Sequence, residues 1–78
     1  GGTAPARINA ANEVAVAAFL QGDLNFTGIA DVIEESLQRL ETRPADSIEA
    51  VIDADREARA FAASYIQQYA TQHITTRV

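Results

Sequence analysis

Seventy-eight residues, a net charge of −5, six arginines, no lysine and no cysteine bound what this chain can do. A chain of this size buries about 60% of the surface its unfolded form exposes, enough for a small core but not for a substrate-sized pocket as well. The scattered arginines form no basic stripe for nucleic acid, the missing thiols remove disulfides and thiolate metal sites, and no apolar run approaches the ~20 residues of a membrane span.

The first predicted helix covers Asn9 to Gln21, where alanine and valine dominate. Asn9 is the expected N-cap, with Glu13 favourably placed for the helix dipole; an earlier start, with Thr3 as cap and Pro5 in the first turn, is the alternative. Gly22 supplies the left-handed residue that commonly ends a helix. Ala11, Ala15 and Ala18 fall on one stripe flanked by Val14 and Phe19, while Ala10 and Ala17 fall on nearly the opposite side. Polar groups are confined to an edge around Glu13 and Gln21, and a helix so apolar is usually buried on more than one side.

The second helix is expected from Thr27, as N-cap, to the break at Arg43-Pro44. Ile29, Ile33, Leu37 and Leu40 make its predicted inner stripe, and Glu35 and Arg39 stand at i, i+4 in the favourable order. A short helix capped by Ser47 follows, then a longer one from about Asp53, the two separate or joined as one kinked helix. Residues 71–78 are β-branched and polar and should fray. The expected architecture is all-α: one domain over 1–78, a small antiparallel bundle of three main helices plus one short helix. The sequence contains no methionine, so it is expected to be a piece of a longer chain.

Candidate chemistry is sparse. Asp53, Asp55 and Glu57 imitate the opening of a calcium loop, but the glycine and distal carboxylate that loop needs are replaced by Ala58 and Ser64. A solvated helix face with an Asp55–Arg59 pair is the better reading. His73, the one histidine, lies near the end of the chain with no partners for a general base or a zinc site. Glu34 and Glu35 point about 100° apart on a helix and cannot act together. No catalytic, cofactor-binding or metal residue is assigned. Asn9, Asn12 and Glu13, with Ala17 beside them, remain as the one constellation suited to contact a further domain, against a plainer role in local hydrogen bonding.

The run Gly1-Gly-Thr-Ala-Pro-Ala-Arg-Ile-Asn-Ala-Ala-Asn-Glu-Val-Ala-Val-Ala-Ala-Phe-Leu20 resembles the start of the carboxy-terminal helical domain of 1-deoxy-D-xylulose 5-phosphate reductoisomerases. Phe26 to Glu35 and Ser47 to Arg59 resemble the stretches that follow in that family. Arg7 departs from the pattern, standing where an aliphatic residue is usual. The resemblance implies a parent enzyme of non-mevalonate isoprenoid biosynthesis, a homodimer that uses NADPH and a divalent metal, magnesium or manganese. It implies a cytoplasmic location in a bacterium, or a plastid in a plant or alga. The family's catalytic and dinucleotide-binding domains precede this segment, so this chain is expected to hold no cofactor and to dock on the catalytic domain as a scaffold. The alternative is a stand-alone helical interaction or dimerisation module.

Overall fold

A computed structural model describes residues 2–40 and 44–77, with side chains described as far as Tyr69. Three helices account for nearly all of it: α1 (Ala4–Leu20), α2 (Phe26–Arg39) and α3 (Ile48–Arg77). No strand occurs among the described residues. The arrangement is up-down-up. Arg7 reaches Glu57, Glu13 reaches Arg59, and Asn25, past the end of α1, reaches Tyr69, so α1 and α3 run in the same direction. At about 1.5 Å per residue, the 30 residues of α3 account for the 48 Å length of the molecule.

The earlier of the two expected starts of α1 is the one adopted. Pro5 sits in the first turn, where its missing N–H costs no hydrogen bond. Asn9 is therefore an interior residue and caps nothing. Thr3 occupies the N-cap position with helical torsions (φ −90°, ψ −2°) and makes no side-chain cap bond. Its hydroxyl instead accepts from Arg7 Nε at 3.3 Å.

The far end of α1 closes as expected. Gly22 holds φ +86°, the Gly22 N–H donates to the Phe19 carbonyl at 3.1 Å, and the Asp23 N–H donates to the Ala18 carbonyl at 2.9 Å. These two bonds form the Schellman closure, which requires a left-handed residue at this point. No atom would meet a Cβ at Gly22 within 4 Å, so the requirement is purely torsional. Gly22→Val should cost at least about 1 kcal/mol in urea unfolding, because a β-branched residue is strained at positive φ. An unchanged midpoint would refute this account of the turn.

The cap of α2 differs from the expectation by two residues. Asn25, not Thr27, is the N-cap: its Oδ1 accepts from the Gly28 N–H at 2.8 Å and from the Thr27 hydroxyl at 3.0 Å. The buried face is also rotated. Gly28, Val32 and Ser36 lie deepest, Ile29 and Ile33 flank them half-buried, and Leu37 is 44% exposed. Small residues reach deepest here because the backbone itself comes close to its neighbours. A Cβ on Gly28 would lie 2.5 Å from Leu24 Cδ1, so glycine is what lets the buried Leu24 fold over the first turn. Helix α2 ends at Arg39, before the proline; the rest of the expected break, residues 41–43, lies outside the described residues.

The expected short helix is the opening of α3. Ser47 caps it as predicted, its Oγ accepting from the Ala50 N–H at 3.0 Å, and Asp53 lies inside one continuous helix. The backbone stays helical through Arg77, over the segment expected to fray.

The core is built from alanine. Ala11, Ala15 and Ala18 of α1 meet Ala62 and Ile66 of α3 and Val32 of α2, with Leu24 closing the end. Ala54, Ala58 and Ala62 continue the small-residue stripe at intervals of four. Ala10 corrects the wheel reading: it is fully buried rather than on the outer side. The inner arc of α1 is wider than the predicted stripe because Arg7 and Ala10 share its α3 side.

Candidate functional site

The four residues expected to contact a further domain lie on α1 and are all exposed. They do not act together. Glu13 is committed within the bundle: Arg59 Nη2 donates to its Oε1 at 2.7 Å, and Asn9 Nδ2 donates to its Oε2 at 3.4 Å. Arg59 also grips Asp55, at 2.8 and 3.2 Å. These bonds, Asp55 first and Glu13 second, hold the Arg59 guanidinium above its ordinary pKa. Asn12 and Ala17 are exposed.

The calcium-like acids diverge. Asp55 pairs with Arg59 and Glu57 with Arg7, and no group of three metal-ligating side chains converges among the described residues. Glu34 accepts from Gln38 at 3.3 Å while Glu35 pairs with Arg39 at 3.2 Å, so the adjacent carboxylates serve different partners. The side chain of His73 lies outside the described residues. Phe61, Tyr65 and Tyr69 form a ladder with centroids 6.3 Å apart, half-buried along α3. Burial, with the charges of Glu35 and Asp31 added to it, raises the Tyr65 phenol above its usual pKa.

Two residues matter more than the sequence suggested. Asn25 caps α2 and also accepts from the Tyr69 hydroxyl at 3.1 Å, joining the α1–α2 turn to α3. Arg7 is 2% exposed, pairs with Glu57 at 3.1 Å, and leaves Nη1 with no hydrogen-bond partner among the described residues. It lines a cleft of about 350 Å³ between the starts of α1 and α3, where Asp46, Glu49 and Asp53 are also found. A cation beside three carboxylates gives that cleft no preference for either sign of ion.

The exposed surface is distinctive in another respect. Leu20, Phe26 and Ile48 are each about three-quarters exposed, with Ile8, Phe19, Val51 and Ile52 partly so. No described helix is long and apolar enough to cross a membrane. This all-helical unit carries apolar groups on its outside, and no group of three metal-ligating side chains converges among its described residues.

The family model of the DXP reductoisomerase C-terminal domain matches residues 1–61. The chain belongs to this family. That match takes in α1, α2 and the first half of α3. A 1-deoxy-D-xylulose 5-phosphate reductoisomerase of Methylococcus capsulatus is 58% identical over 66 residues, which is 85% of this chain and 17% of the relative. The same enzyme of Ralstonia pickettii is 56% identical over 66 residues, again 85% and 17%. That of Acinetobacter baumannii strain SDF is 48% identical over 69 residues, 88% and 17%. This reductoisomerase C-terminal domain therefore spans about one-sixth of the length of the relatives it matches.

Proposed function

We propose that the chain is the accessory C-terminal domain of a 1-deoxy-D-xylulose 5-phosphate reductoisomerase, docking on the catalytic part of the enzyme and supporting it while contributing no chemistry. The observation that carries this reading is the pairing of coverage: most of this chain matches, but only 17% of each relative. The parent would rearrange and reduce its sugar phosphate with NADPH and magnesium or manganese, as a homodimer in the cytoplasm, or in a plastid for a plant or algal source. Those groups belong to the preceding domains. The residues described here do not fit them: no set of three metal-ligating side chains converges, and the described residues offer no glycine-rich cradle for a nucleotide. The contact with the catalytic part would use the outer side of α1, where Asn9, Asn12 and Ala17 are exposed and Glu13 is steadied at the edge by Arg59.

Calorimetric titration of the isolated chain with NADPH, and separately with manganese, should give no saturable heat at micromolar concentrations. Saturable NADPH binding would overturn the accessory reading.

A further inference from the structure

Helix α1 is apolar around nearly its whole circumference, yet α2 and α3 cover only one side of it. Arg7, Ala10, Ala11, Ala15 and Ala18 occupy that covered side. At about 100° per residue, Ile8, Phe19, Asn12, Val16, Asn9 and Leu20 follow one another around the other side. Leu20 is 76% exposed, and across the turn Phe26 is 74% exposed with its ring edge-on to Phe19 at 6.0 Å. The result is a continuous strip along α1 and onto the start of α2, apolar except for the amides of Asn9 and Asn12. Charges stay off it: Glu13 stands at its margin and is already paired with Arg59. An apolar centre with its charges at the margin is the make-up of an interface core and rim.

Resting on the accessory-domain reading, we propose that the strip formed by Ile8, Asn12, Val16, Phe19, Leu20 and Phe26 is the seam along which this domain docks on an apolar surface of the rest of the parent enzyme. Two observations select that occupant. More than four-fifths of each relative's length lies outside the matched segment. In such a chain the partner surface is tethered at an effective concentration of about millimolar, so a modest strip suffices. A second copy of this chain is disfavoured, because each copy carries a net charge of −5 and like-charged surfaces repel on approach. The amide of Asn12, near the middle of the strip, gives the seam a polar contact that fixes its register.

The absence of cysteine from this chain makes the test direct. Leu20→Cys, Asn12→Cys, Ile48→Cys and Ala60→Cys are made singly in two settings: the isolated chain, and the Methylococcus capsulatus enzyme with its matching segment replaced by this chain. Maleimide labelling at each position is read by peptide mass. Labelling of the Leu20→Cys and Asn12→Cys variants should be about tenfold slower in the full enzyme than in the isolated chain, since a covered site reacts only when it opens. The Ala60→Cys variant, exposed on α3, should label equally in both. Slowing at Ile48→Cys with Leu20→Cys unaffected would overturn the seam while leaving the docking reading standing. Equal labelling at every position would overturn both. Slowing in the isolated chain that grows with its concentration would identify a second copy as the occupant and overturn the seam assignment.

Discussion

Ala15→Leu should destabilise the isolated domain by about 1–3 kcal/mol, and Ala17→Leu by no more than about 0.5 kcal/mol. Ala15 is fully buried in the cluster that holds Ala11, Ala18, Val32, Ala62 and Ile66. Its neighbours on α3 are themselves alanines at intervals of four, Ala54, Ala58 and Ala62. Alanine facing alanine lets two helix axes approach closely, and a branched side chain placed between them must push neighbours off their rotamers. Ala17 is exposed and has room. Both substitutions exchange the same residues within one helix, so helix propensity cancels and only the surroundings differ. Urea unfolding of the two variants reads the difference. Equal losses would show that α1 does not pack as described. The second variant also bears on docking: if Ala17→Leu is harmless in isolation but weakens the full-length enzyme, that edge of α1 touches the parent.

What could be read from the sequence follows from the range of the forces involved. The Gly22 closure, the Ser47 cap and the Asp55–Arg59 and Glu35–Arg39 pairs all act within five residues, and each stands where the spacing placed it. The Ala11–Ala15–Ala18 stripe was legible because a helical period fixes which residues share a side. The face of α2 was not, because a helical wheel weighted by size centres the buried side on the largest apolar residues. Here the deepest positions are Gly28 and Ser36, and Ile29 and Ile33 splay around them. The Asn25 cap was misplaced for a related reason. Asn25 and Thr27 can both cap, and the fit of Leu24 over Gly28 favours the earlier one. The composition of α1 predicted burial on more than one side, and α2 and α3 cover one of them. Glu13's commitment to Arg59, 46 residues away, left no trace in local spacing.

Arg7 is the second place where a large effect is expected. Arg7→Met should leave the domain at least as stable as it is, and by up to about 2 kcal/mol more so, whereas Arg7→Ala should lie about 2–4 kcal/mol below the methionine variant. Among the described residues Arg7 is the largest side chain that is fully buried, so truncation to alanine opens a cavity between the starts of α1 and α3. Methionine fills much the same length without a charge. The polar return on the guanidinium is thin: one bond to Glu57, one to the Thr3 hydroxyl at 3.3 Å, and a buried Nη1 with no partner among the described residues. Removing a charge from water costs several kcal/mol unless its bonds are well made, and these are incompletely made. Glu57 is 43% exposed, so it can return to solvent when the guanidinium is gone. Urea midpoints at constant ionic strength would decide between packing and charge. Should Arg7→Met prove as destabilising as Arg7→Ala, the ion pair itself would be what joins α1 to α3, and Glu57→Gln would then reproduce the loss.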